Sequence, residues 1–381
     1  MCALLAGPEG RTEGNRGHVT RKSIDVSAVD LFCGAGGLTH GLRKAGIDVR
    51  AGIDIDPACQ YPYTANNTSQ FILRSVGDVS SEEVAGCFTP GSVRLLAGCA
   101  PCQTFSSYNQ KASESDDRWW LLRHFSRLVD EVRPELVTME NVPGLLGHAV
   151  FEEFVSSLEA HGYEVCCQLV NCRNYGVPQH RNRLVLLASR LGPVRLLAPE
   201  EFGRKEQTVR DVIGDGKVPE LAAGSTDPYD RLHQCSSLSP LNMRRMKASR
   251  PGGTWRDWPP GLVATCHKKD SGKTYPGVYG RMAWDDVAPT VTTQFYGFGN
   301  GRFGHPAQDR AISLREGAML QSFPPGYAFV APDEPVRMKS IGRLIGNAVP
   351  VTLGEVIGQS LERHLKTRRD GRGAAGRIRS A

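Results

Sequence analysis

From residue 24 onward, apolar positions fall into short runs that alternate with segments of helical spacing. Residues 24–32 read as a buried strand, 34–37 as a tight turn and 38–45 as a helix closed by Gly46. A second strand is predicted over 49–53 and a helix after Pro57. Ser80-Ser81-Glu82-Glu83 carries the capping pattern of another short helix. Strands four and five fall at 93–97 and 136–139, with helical spacing over 119–132 between them, starting at Trp119-Trp120. Residues 151–160 give a further amphipathic helix, and 165–170 and 184–188 two more strands. Repeated strand–helix units of this kind predict an α/β domain with a Rossmann-like, mostly parallel sheet covered on both faces.

After Arg190 the texture shifts to Pro, Gly, Ser and scattered aromatics without a sustained helical period, which predicts a second, smaller and irregular domain over 191–336. Helical patterning returns at 313–320 and at 351–365. The expected division is a lead-in over 1–23, a main domain built from 24–190 and 337–366, and an unfolded basic tail over 367–381. The chain's net charge is +6, but its last 21 residues hold seven basic residues against two acidic ones. Global basicity is therefore weak evidence about the core, and any nucleic-acid-facing patch has to be found locally. No apolar run approaches the roughly 20 residues of a membrane span. Eleven cysteines without a signal peptide read as reduced thiols, which points to the cytoplasm.

Gly34, Gly36 and Gly37 supply a turn that lets backbone approach a ligand, and Asp54, 20 positions after Gly34, stands where a carboxylate can grip ribose hydroxyls. The spacing is not that of a dinucleotide-binding G-x-G-x-x-G, so a pyrophosphate-binding oxidoreductase fits less well. Asp78, after a short apolar run where a third strand should end, can accept from an adenine amino group or simply start a helix.

Pro101-Cys102-Gln103 follows strand four, and Glu140-Asn141-Val142 leaves strand five, so a thiol and an acid share the carboxyl edge of the sheet. Carbon 5 of cytosine is a poor nucleophile. A thiolate added to carbon 6, with a proton given to ring nitrogen 3, turns the ring into an enamine that attacks a methyl sulfonium. Cys102 suits the first role and Glu140 the second. An ordinary thiol is only about 3% ionised at pH 7, so the site must favour the thiolate.

The chain resembles the cytosine-5 DNA methyltransferase family. The resemblance rests on Phe32-Cys33-Gly34-Ala35-Gly36-Gly37, Pro101-Cys102-Gln103, Glu140-Asn141-Val142, Gln179-His180-Arg181-Asn182-Arg183 and Gly346-Asn347-Ala348-Val349-Pro350, in order, and covers about 24–365. It implies S-adenosylmethionine as cofactor and double-stranded DNA as substrate. Cys102 is then the nucleophile, Glu140 the group at ring nitrogen 3, and Arg181 and Arg183 the residues that position the base. Phe32, Gly34, Gly36, Asp54, Ile55, Asp78 and Asn347 form the cofactor side. Many members carry Glu and an aromatic where this chain has Asp54-Ile55, which implies a shorter ribose contact and aliphatic packing on adenine.

Region 191–336 is then the target-recognition domain. Arg244, Arg245, Lys247 and Lys268, together with Ser106 in the loop after Cys102, are candidate DNA contacts. Segment 104–117 is expected to enter the duplex as a lid, with Trp119-Trp120 packing behind it. Residues 281–293 and 301–306 resemble the segment that organises recognition. A monomer is expected, with a separately acting restriction endonuclease as a companion. The weighed alternatives are an RNA (tRNA) cytosine-5 methyltransferase and a catalytically dead DNA-binding module. A metal site is not expected: Cys99 and Cys102 form an isolated C-x-x-C, and His233, Cys235, Cys266 and His267 match no usual finger.

Overall fold

Every residue of β1 (Val26–Leu31) is buried, the condition of a strand with neighbours on both edges and helices on both faces. In the computed structural model, which describes residues 25–101, 120–272 and 274–378, β1 is an inner strand of a seven-stranded sheet whose central strand is β4. In chain order the elements begin β1, α1 (Gly37–Lys44), β2 (Asp48–Asp54), α2 (Gln60–Asn66), β3 (Gln70–Leu73), α3 (Ser81–Cys87) and β4 (Val93–Gly98). They continue with α4 (Trp120–Val132), β5 (Leu136–Asn141), α5 (Ala149–Ala160), β6 (Glu164–Asn171) and β7 (Asn182–Ser189). Strand order is β3-β2-β1-β4-β5-β7-β6, and β7 is antiparallel to both of its neighbours.

Alternation along the strands divides two cores. Val29, Leu31, Leu96, Met139 and Leu186 pack against α4 and α5, while Ala28, Leu95, Ala97 and Leu187 face α1 and the last helix. Helix α3 is capped as predicted: Ser80 accepts from Glu83 N while the Glu83 side chain accepts from Ser80 N.

Beyond β7 come α6 (Pro199–Phe202), α7 (Val209–Ile213), α8 (Pro240–Ala248), α9 (Leu314–Leu320), α10 (Met338–Asn347) and α11 (Val351–Ile378). Helix α10 was not anticipated from the sequence. Helix α11 also corrects the expected tail, because it continues unbroken past residue 366. A third core joins Ala35 and Cys59 to α7, α9 and α10. A small fourth core of Met246, Trp255, Trp258, Phe298 and Ala311 stands apart within the irregular region. No helix among the described residues is long and apolar enough to cross a membrane.

Helix α11 runs beside α1 in the same direction. A Cβ on Gly41 would lie 2.3 Å from Val351 O, and one on Gly358 would lie 2.5 Å from Ala45 Cβ. The basic end of α11 therefore leaves the sheet at the edge opposite the carboxyl ends of the parallel strands.

Candidate active site

The turn after β1 is conformationally exacting. Phe32 has φ +56°, Gly34 +53° and Gly36 +87°, all in the left-handed region that glycine tolerates and other residues rarely adopt. Two of its glycines also answer to close neighbours. A Cβ on Gly36 would meet Asn67 Nδ2 at 2.7 Å, and one on Gly37 would meet Val349 O at 2.3 Å. Gly346-Asn347-Ala348-Val349-Pro350 is thus pressed against the turn, although the two segments are over 300 residues apart in sequence. Tyr327 Oη donates to Ala35 O at 2.6 Å and closes the turn from below.

Asp54 ends β2 with its carboxylate anchored by two amides, from Gly34 N and Asp56 N, each at 2.9 Å. Burial raises its proton affinity, and those amide donors oppose the rise. Above the turn the space is open: a Cβ on Gly34 would meet nothing within 4 Å, and Ile55 is 69% exposed. An acid able to take ribose hydroxyls, an apolar side chain and an uncovered glycine fit an adenosyl group. Asp78 is exposed in the turn five positions past the end of β3, further from the strand than the sequence pattern implied. Asn347 is exposed at the last position of α10.

Beneath the turn lies a buried carboxyl the sequence did not single out. Asp30 Oδ2 accepts from Thr39 Oγ1 at 2.7 Å, and its buried Oδ1 has no hydrogen-bond partner. Burial pushes this carboxyl up to about 7. The folded state therefore binds the proton more tightly than the unfolded chain, whose aspartates titrate near pH 4. The stability this group contributes is complete below about pH 4 and lost as pH rises through about 7. An Asp30→Asn variant should lack that dependence, so its melting temperature relative to the wild type should climb between roughly pH 4 and pH 7 and level off above. A constant difference across that range would show that Asp30 is already ionised in the fold.

Glu140, on β5, is 2% exposed. Its Oε2 accepts from Cys99 Sγ at 3.0 Å, and its Oε1 lies 2.7 Å from Arg183 Nε. That ion pair is close but not aligned as a hydrogen bond, and Oε1 has no hydrogen-bond partner. Arg183 reaches the acid because β7 is antiparallel: Glu140 pairs with Val185 and Asn141 with Leu184, so the start of β7 meets the end of β5. Asn141 Nδ2 donates to Ala100 O at 3.1 Å and ties the loop after β4 to the same place. Description stops at Pro101, so Cys102, Ser106, segment 104–117 and Trp119 lie outside the described residues. Trp120 opens α4 and is 54% exposed, with Arg123 over its ring.

Arg181, expected to position the base and its surroundings, turns into the protein interior. It precedes β7, is 2% exposed and donates to Val291 O, Gly346 O and Ala348 O at 3.0–3.1 Å. Its guanidinium clamps the Gly346–Ala348 segment to the loop at Val291. Gln179 and Gln321 extend the clamp. Gln179 donates to Leu320 O and Gln321 Oε1 and accepts from Val291 N, while Gln321 donates to Ile345 O and Ala348 O. Gln321, a buried amide on no motif, gave no signal in the sequence. Cys172 is fully buried nearby, and burial pushes its thiol up to about 11 against the pull of Arg183 and Arg181, so it stays protonated.

A family model, C-5 cytosine-specific DNA methylase, matches residues 26–363. The chain belongs to that family. It is a DNA (cytosine-5-)-methyltransferase. It is 49% identical over 343 residues to the Type II methylase M.HgiDII of Herpetosiphon aurantiacus, covering 89% of this chain and 96% of that one. It is 30% identical over 361 residues to the Type II methyltransferase M.Sau96I of Staphylococcus aureus, covering 91% and 77%. A solved prophage-encoded DNA modification methyltransferase of E. coli shares the fold, with a TM-score of 0.67 at 22% identity over 90% of this chain and all of that one.

The methyltransferase's expected DNA contacts divide by environment. Arg244 and Lys247 are exposed on α8, and Lys268 is exposed beside buried His267. Arg245 turns inward instead. It donates to Leu262 O and Asn242 Oδ1 and lies over the rings of Trp258 and Tyr279, so its charge is spent on the small core. Arg281, buried at 5% exposure, joins α8 to the loop after residue 304 through Met246 O, Ser249 O, His305 O and Gln308 O. His233 is held by Ser313 Oγ and Pro219 O, and His267 stacks on Trp255, so neither is directed at the other.

Proposed function

We propose that this methyltransferase uses S-adenosylmethionine to methylate carbon 5 of a cytosine swung out of double-stranded DNA, through an adduct of Cys102 at carbon 6. The observation that carries the reading is the buried Glu140 carboxyl, held beside Arg183 at the edge of the sheet and joined to the loop that leads into Cys102. A cytosine inside a duplex cannot present carbon 6 to a thiol, so unstacking, at a cost of a few kcal/mol, precedes chemistry.

In the proposed sequence the Cys102 thiolate adds to carbon 6 while Glu140 delivers a proton to ring nitrogen 3. When bound, S-adenosylmethionine supplies a methyl sulfonium for the electron-rich carbon 5. Loss of the carbon 5 hydrogen to a base then expels the Cys102 thiolate and restores the ring, and Glu140 recovers its proton from nitrogen 3. Arg183 holds the Glu140 carboxyl in place, and Arg181 fixes the backbone on which Asn347 stands. Phe32, Gly34, Gly36, Asp54, Ile55 and Asp78 would hold the cofactor. Region 191–336 reads the target, with Arg244, Lys247 and Lys268 offered to phosphates or guanine edges. By analogy with the Type II relatives, the chain acts as a modification enzyme in the cytoplasm, alongside a separate endonuclease.

Labelled S-adenosylmethionine incubated with the protein and duplex DNA should give labelled DNA, with the label in 5-methylcytosine. A parallel incubation with tRNA should give none, and label in tRNA but not in DNA would overturn the assignment of substrate.

A further inference from the structure

We propose that Cys99 is a positioning residue for Glu140, covering Oε2 with a weak hydrogen bond that the target base displaces. The proposal rests on the reading of Glu140 as the group that meets ring nitrogen 3. Cys99 and Glu140 are 41 positions apart and meet because β4 and β5 are parallel neighbours, with Gly98 paired to Met139. The Asn141–Ala100 hydrogen bond sets the same alignment from the next residue along, at the end of β5 and in the loop after β4.

Several groups face the Glu140 carboxyl. Arg183 from β7 lies at Oε1, and Cys99 after β4 donates to Oε2. The guanidinium of Arg181 is near enough for its charge to interact with the carboxyl, and the Cys172 thiol nearby is protonated and neutral. Arg183 is thus the strong, charged neighbour, and the thiol is the weak one.

A buried carboxyl oxygen left without a partner is costly, so Oε2 needs cover before a base arrives. A strong donor there would compete with the base for the same oxygen. A thiol meets both demands: it orients the carboxyl plane and gives way when Oε2, carrying the carboxyl proton, turns that proton to ring nitrogen 3. No proton leaves sulfur in this exchange, and no bond to sulfur forms or breaks.

The test is the rate at which the enzyme traps itself on amplified DNA in which 5-fluorocytosine replaces cytosine, read with kcat and with KM for DNA and for S-adenosylmethionine. Cys99→Ala should form the adduct about fivefold more slowly, the factor that one hydrogen bond of about 1 kcal/mol represents, with both KM values unchanged. Cys99→Ser, which keeps a donor, should recover most of the rate. An alanine variant as fast as the wild type, a serine variant as slow as the alanine one, or a loss carried by KM would each overturn the proposal.

Glu140→Ala and the double variant separate this proposal from the reading beneath it. If Cys99 acts through Glu140, Cys99→Ala should cost nothing further in the Glu140→Ala background. Its full factor appearing there would remove Cys99 from the mechanism and leave Glu140 in place. Glu140→Ala trapping at the wild-type rate would instead remove Glu140 itself.

Discussion

A Cys102→Ala variant should lose methyl transfer by at least roughly four orders of magnitude and form no covalent complex with 5-fluorocytosine DNA. The size of the effect follows from the chemistry. Without a nucleophile at carbon 6, carbon 5 has no electron pair to offer, and no other interaction in the site replaces that activation. The other thiols near this edge are poor substitutes. Cys172 is sealed from solvent and held protonated. Cys33 and Cys59 are buried near Asp54 and the glycine turn, and burial pushes both thiols up. Because the change removes only a sulfur atom, binding of duplex DNA and of S-adenosylmethionine should persist. That separates loss of chemistry from loss of fold. Turnover by the variant at a rate close to the wild type would end the covalent mechanism proposed for this enzyme.

The second large effect is expected at Arg181, on stability as well as on rate. Arg181→Met keeps the apolar stem and removes the donors, taking the Arg181 hydrogen bond from Val291 O and Gly346 O and leaving Ala348 O with Gln321 alone. Burial, aided by the neighbouring Arg183, pulls the Arg181 guanidinium down to about 9, so it remains a cation at neutral pH. Loss of its hydrogen bonds should lower the unfolding free energy by about 3 kcal/mol, measured by urea denaturation. Arg181→Lys should not restore it, because an ammonium group lacks the planar fork that spans carbonyls from two segments. Cofactor affinity should fall in parallel, since Gly346–Ala348 leads directly into Val349, whose carbonyl contacts the glycine turn. An unfolding free energy within 1 kcal/mol of the wild type would show that the clamp carries no load, on the scale of one hydrogen bond.

Much of this site could be read from the chain because its parts are local. A glycine turn between a strand and a helix, a carboxylate at the end of the next strand, and an acid at the end of β5 are each fixed by a few neighbouring residues. The capping box at Ser80 and the helical spacing before Val132 follow from equally short-range rules. The buried surroundings of Arg181 and Arg245 could not be read from the chain, for one reason. An arginine's sequence neighbours do not reveal whether its guanidinium faces solvent, a partner acid or buried carbonyls. Arg245 stood among basic residues yet turned toward Trp258 and Tyr279, while Arg244 and Lys247 stayed outside. Helix α11 outran its predicted end because its last turns lack the apolar periodicity used to find helices, and backbone hydrogen bonding continues without it.

The sequence by itself determined the alternating α/β order, the glycine turn, the acid and the family to which the chain belongs, because these depend on short motifs and on periodicity along one strand or helix. Only the tertiary structure decided how those motifs meet. The reversed direction of β7 brings Arg183 to Glu140, and the parallel pairing of β4 with β5 brings Cys99 to the same carboxyl. The packing of Val349 O against Gly37 joins the last motif to the first. Such meetings depend on strand direction, register and the burial of polar groups between distant segments, and no local pattern of residues encodes them.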